Sequence, residues 1–141
     1  MVTRFRLHPR LQADTIDLGR LRLCRLLLMN DVRFPWCILV PERVGITEVH
    51  QLCDDDQVQL IREPSLLASK MAEMFSADKM NIAALGNVVP QLHVHHVARF
   101  ENDAAWPGPV WGCGTAVDYR GEELEVLRSR LESALQGFIE T

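Results

Sequence analysis

No two of the four cysteines, Cys24, Cys37, Cys53 and Cys113, stand in a C-x-x-C pair, and their spacing matches neither a zinc knuckle nor a disulfide scaffold. They read as reduced thiols. Long apolar runs are also missing: the longest aliphatic stretch, Leu26 to Met29, is far short of a bilayer span, and the N-terminal region has no continuous apolar segment of the secretory kind. The expectation is a cytoplasmic protein that does not enter a membrane. Positive charge is not in surplus either. A formal net charge of -4 argues against bulk binding to nucleic-acid polymers or anionic membranes, whereas a small phosphorylated ligand needs only local positive character. There is no internal repeat and no low-complexity tract.

What is present is an ordinary globular balance, 48% hydrophobic and 24% charged over 141 residues, enough to bury a core. The expected organisation is a single domain over 1–141, with its core at roughly 5–100 and a tail plus C-terminal helix at 101–141. Thr15 to Leu18 and Leu21 to Met29 pattern as a hairpin around Gly19-Arg20, and Trp36 to Val40 as a buried strand between Pro35 and Pro41. From Asp54 the period changes. Leu60, Pro64, Leu67, Met71 and Met74 fall three or four apart, with Asp54 to Asp56 placed for the first turn of a helix. Pro64 predicts a kink, or two helices meeting there. Lys79 to Leu85 reads as a further strand with Met80 and Ile82 on one face and Asn81 on the other, and Leu124, Leu127, Leu131, Leu135 and Phe138 outline a last helix ending near Gly137. This order predicts an α+β fold, an antiparallel sheet of about five strands covered by helices on one face.

The most informative segment is Gln91-Leu92-His93-Val94-His95-His96-Val97-Ala98-Arg99, which holds three of the five histidines and reads as one strand. Alternate residues of a strand share a face, so Gln91, His93, His95, Val97 and Arg99 lie on one side and Leu92, Val94, His96 and Ala98 on the other. Two imidazoles and an amide therefore stand side by side. Apolar Leu92 and Val94 supply the core-facing half, leaving the polar half for chemistry on an exposed or cleft-lining face.

The segment resembles the motif of the histidine-triad (HIT) superfamily, His-φ-His-φ-His-φ-φ followed by an arginine, with Gln91, His93 and His95 in the three histidine slots and Arg99 at the usual distance beyond. Met29-Asn30-Asp31, Pro35 to Pro41, Asn81 and Gly86-Asn87 stand in the superfamily's usual order. The resemblance implies a homodimer and a hydrolase or transferase acting at the α-phosphate of a nucleotide derivative, such as diadenosine tetraphosphate or a nucleoside phosphoramidate, without a metal or other cofactor. His93 would attack phosphorus to form a nucleotidyl-histidine, its Nδ1–H held by a backbone carbonyl so that Nε2 points at the substrate. His95 would donate to a non-bridging phosphate oxygen. Gln91 would contact the leaving group, although an amide cannot deliver a proton as histidine can. That favours leaving groups of low basicity, hence polyphosphate anhydrides over phosphoramidates.

Asn30 and Asp31 match the place where relatives hold the ribose hydroxyls, Asp31 ranking first as an acceptor. Gly86, Asn87 and Asn81 are the candidate phosphate contacts, with Asn87 where relatives carry glutamine and Val88 in place of a hydroxyl residue. Backbone hydrogen bonding competes for both asparagines. His96 fills a slot that is apolar in the family, and a partly buried or edge histidine satisfied by one hydrogen bond is its ordinary reading. His8 and His50 read as surface histidines, Trp36 as core, and Trp106 and Trp111 as packing anchors that could also cover the site. Two other classes stay open: an inactive or weakly active nucleotide-binding sensor, and a metal protein using His93 and His95 with Cys113 or His96, for which no carboxylate or cysteine completes the shell at a convincing spacing.

Overall fold

The computed structural model describes residues 4–140. Five strands, β1 (Thr15–Arg20), β2 (Cys24–Met29), β3 (Trp36–Pro41), β4 (Lys79–Ala83) and β5 (Val94–Arg99), form one antiparallel sheet in the order β1-β2-β3-β5-β4. The period-2 alternation sorts the core into two layers. On β3, Cys37 and Leu39 join a cluster beneath the helices, while Trp36, Ile38 and Val40 join a second cluster on the opposite face. β3 is buried along its whole length, as its unbroken apolar run requires.

Helix α2 (Asp54–Phe75) covers the first face with Leu60, Leu67 and Met71. Three aspartates in its first turn complement the helix dipole, and Ser76 ends it in the left-handed region. Of the two readings of Pro64 the single helix holds: one helix of 22 residues runs through it, and no second helix begins there. The apolar stripe on both sides of Pro64 packs on the same sheet, and this outweighs the missing N–H and the ring clash. Beside it, buried Glu63 accepts from the backbone N–H groups of Leu23 (2.8 Å) and Cys24 (3.0 Å), fastening α2 to the β1–β2 turn.

The C-terminal helix, Gly121–Ala134, adds Leu127 and Leu131 to the same cluster and stops before Gly137. Beyond it, the backbone N–H of Glu140 donates to the Arg20 carbonyl, partly covering the β1 edge. Several element ends differ from expectation. β1 continues to Arg20 through a bulge between Asp17 and Gly19, β2 starts at Cys24, and β4 stops at Ala83.

A further helix, α1 (Pro9–Asp14), has no apolar period of its own to announce it. His8 caps it, Nδ1 accepting from the Arg10 N–H at 3.1 Å, and Pro9 opens its first turn. Numbered in chain order, the C-terminal helix is therefore α3. α1 lies on the face that α2 and α3 leave open, packing Leu11 there. Among the described residues no helix is long and apolar enough to cross a membrane.

Candidate active site

The face without α2 and α3 carries the site. The ladder-bonded part of the histidine segment is Val94–Arg99, shorter than the nine residues expected, because Gln91 to His93 run on beyond the end of β4. The alternation nevertheless holds where it matters. Leu92 and Val94 enter the helix-side core, and His93 and His95 emerge together on the other face with ring centroids 4.7 Å apart.

Each ring has a different partner on Nδ1. His93 Nδ1 lies 2.7 Å from the Gln91 backbone carbonyl, which can only accept, so the proton sits on Nδ1 and Nε2 keeps a lone pair. His95 Nδ1 lies 3.0 Å from Trp36 Nε1, which can only donate, so the His95 proton sits on Nε2. Burial lowers the His93 pKa from its ordinary 6.5, opposed by the Gln91 carbonyl. His95 is pushed down to about 3 by burial first, then by proximity to His93 and His96. Both rings are neutral at neutral pH, one presenting a nucleophilic nitrogen and the other an N–H.

The two histidines line a cleft of about 330 Å³ with Trp36, Trp111, Gly86, Asn87 and, from α1, Arg10, Leu11 and Asp14. Trp111 packs its edge against His95 at 5.1 Å and against Trp36 at 5.8 Å. Gly86 turns the β4–β5 loop at φ 73°, a conformation that glycine adopts without strain. Asn87 is exposed and makes no side-chain hydrogen bond among the described residues. A second cavity of about 570 Å³ shares the Arg10, Asp14, Met29, Trp36, Val88 and Trp111 walls and reaches Asn30, Asp31 and Arg33.

Four expected site residues point elsewhere or are already engaged. Gln91 lines neither part of the cleft. Its Oε1 accepts from the His8 N–H and its Nε2 donates to the Arg6 carbonyl, both at 2.8 Å, so the amide ties down the segment that leads into α1. Asn81 shares the histidine face, paired with Val97, but lines neither part of the cleft, its Oδ1 accepting from Arg99 at 2.8 Å. Asp31 does line the cleft, but it is 2% exposed and grips Arg33 through both carboxylate oxygens, at 3.0 and 2.9 Å. Burial would raise its pKa, but the hydrogen bonds from Arg33 and from the Val117 N–H hold it lower than usual. Asn30 accepts from the Tyr119 N–H at 2.9 Å.

Arg99, 1% exposed, is a structural hub. It pairs in bidentate fashion with Asp103 (2.8 and 3.0 Å), bonds Asn81 and the Gly108 carbonyl, and lies over Trp106. Its guanidinium, with three backbone N–H donors, holds the Asp103 carboxyl far below the ordinary range. The Arg99–Asp103 knot thus anchors the turn that leads to Trp111.

His96 is neither an edge residue nor satisfied. β5 is an interior strand, so His96 lies between Cys37 and Ile82 on the helix side, wholly buried, with neither ring nitrogen hydrogen-bonded. Burial pushes its pKa down to about 4, the nearby Val94 and Cys37 backbones opposing only in part. Among the described residues no three His, Cys, Asp or Glu side chains converge to hold a metal.

Residues 10–102 match the HIT domain family. The chain is 49% identical to a histidine triad protein from Marinobacter aquaeolei, covering 96% of this chain and 99% of that one with a TM-score of 0.94. It is 48% identical to a histidine triad (HIT) protein from Sinorhizobium meliloti, over 93% and 97% of the two chains, with a TM-score of 0.91. A histidine triad protein from Bradyrhizobium japonicum is 43% identical over 94% and 98%, with a TM-score of 0.92. No curated protein matches the chain. This protein therefore belongs to the histidine triad family, on both its domain match and its fold.

Proposed function

We propose that the protein cleaves a nucleotide derivative at its α-phosphate through a nucleotidyl-His93 intermediate. The observation that carries this reading is the pair of opposed tautomers: a bare Nε2 on His93 beside an N–H on His95. His93 Nε2 forms the bond to phosphorus while the bond from phosphorus to the leaving oxygen breaks. His95 Nε2–H donates to a non-bridging oxygen as charge builds there, a role Asn87 can share from the loop. Water then attacks phosphorus, the P–N bond breaks, and the nucleotide departs with His93 restored. The nucleoside half is assigned to the continuous cleft along Trp36, Trp111 and Met29 toward Asn30.

The leaving group departs as an anion, because the slot that would protonate it holds Gln91, with both ends of its amide engaged. The proposed substrates are accordingly dinucleoside polyphosphates or other mixed anhydrides, whose leaving phosphates are weakly basic, in preference to phosphoramidates. The same observation supports a second reading, a nucleotide-binding sensor that turns over slowly. Chromatography of products from diadenosine polyphosphates and adenosine phosphoramidate separates the two. Release of AMP, fastest from the polyphosphates, supports the enzyme, whereas saturable AMP binding without any turnover supports the sensor.

A homodimer forms part of this proposal. β4 is a sheet edge, and exposed Ile82 shares a groove with exposed Val58 and Ile61 of α2, an apolar band suited to a second copy. A sedimentation mass of one chain would remove that element.

A further inference from the structure

Trp36 is 6% exposed and by burial alone would count as core, yet its one polar atom is aimed at the site. The indole N–H meets His95 Nδ1 at 3.0 Å, and His95 is itself 5% exposed, so water does not compete for that nitrogen. An indole can donate but not accept, so a neutral His95 in this contact carries its proton on Nε2. The neighbouring His93 is set the opposite way by a group of opposite character, the Gln91 carbonyl. Trp111, edge-on to both Trp36 and His95, holds the planes in place.

We propose that Trp36 is a positioning residue that sets the tautomer of His95, so that His95 meets the substrate phosphate as a hydrogen-bond donor. Its consequence for catalysis rests on the nucleotidyl-transfer reading above; its geometry does not. With the other tautomer, His95 would turn a lone pair toward the phosphate oxygens, and an interaction that should strengthen in the transition state would become repulsive. The contact is between sheet neighbours 59 residues apart, because the register that pairs Trp36 with Val97 and Ile38 with His95 places the indole diagonally beside the ring.

The test compares wild type with Trp36→Phe and with a protein carrying β-(3-benzothienyl)alanine at position 36, which keeps the bicyclic shape and replaces N–H by sulfur. Long-range ¹H–¹⁵N spectra of the histidine rings report which nitrogen of His95 is protonated. Wild type should show a bare Nδ1 and a protonated Nε2, while both altered proteins should populate the Nδ1–H form. In the benzothienyl protein, which keeps the cleft wall, kcat should fall about tenfold, one hydrogen bond's worth, with KM changed by less than about twofold. The benzothienyl protein keeps the packing, so a loss there is not a folding defect. If His95 retains its Nε2 proton in that protein, Trp36 only packs and the proposal is overturned. If wild type turns over no nucleotide, the nucleotidyl-transfer reading fails, and the spectra still decide the role of Trp36.

Discussion

Replacing His96 by leucine should stabilise this protein, although the histidine belongs to the motif strand. The ring is fully buried on the helix side of the sheet, between Cys37 and Ile82, with both nitrogens unpartnered. A buried polar group without a partner costs about 1–3 kcal/mol, and leucine fills a similar volume without that cost. His96→Leu should therefore gain about 1–3 kcal/mol at pH 7. The difference should widen in acid. The His96 pKa is about 4 in the folded protein against 6.5 ordinarily, so between those values the unfolded chain binds a proton that the folded chain excludes. A depressed histidine pKa thus makes stability fall as pH drops. At pH 5, one and a half units below 6.5, the wild type loses a further contribution of about 2 kcal/mol that the leucine variant does not. Urea unfolding of both proteins at pH 7 and pH 5 measures this. A variant less stable than wild type at both values, or one with an unchanged pH slope, would refute the reasoning.

Arg99→Ala should cost about 3–5 kcal/mol, since it takes the counter-charge from the buried Asp103 carboxylate, leaving it backbone N–H donors alone, and also frees Asn81 and the Gly108 carbonyl; calorimetry should show the lowered Tm. Gln91→Ala removes two hydrogen bonds to the segment at Arg6 and His8, so it should destabilise by about 1–3 kcal/mol and speed hydrogen exchange and proteolysis ahead of α1. Because burial holds the His93 pKa below 6.5, the proposed nucleophile stays unprotonated into mild acid. The acid limb of kcat/KM should therefore have its midpoint below 6.5, as a pH–rate profile on a dinucleoside polyphosphate would show.

What was legible in the sequence was whatever depends on local period. Alternation around Leu92 and Val94 put His93 and His95 on one face, and the three-and-four spacing of Leu60, Leu67 and Met71 located α2. Contacts made far along the chain were not legible. The partners of Gln91 lie more than eighty residues away, at Arg6 and His8, so nothing next to it in sequence distinguishes a clamp from a substrate contact. Asp31 looked free for a sugar because its tie to Arg33 depends on a bend in the chain, not on a pattern. Trp36 read correctly as buried, but the use of its N–H follows only from the β3–β5 register. α1 is too short to show a period, although His8-Pro9 was a usable start signal, a capping side chain followed by proline. At Pro64 the three-and-four spacing on both sides was the better guide, since one helix runs through the proline.

Covalent nucleotidylation of His93 is the step on which the proposed function turns. Its most direct test is rapid acid-free quenching of wild type and His93→Ala during reaction with a diadenosine polyphosphate, followed by proteolysis and mass spectrometry of the peptide containing residues 91–99. Wild type should carry an adenylyl group on His93, with neither adduct nor turnover in the variant. Turnover that persists in His93→Ala, or an adenylyl group carried by another residue, would contradict it.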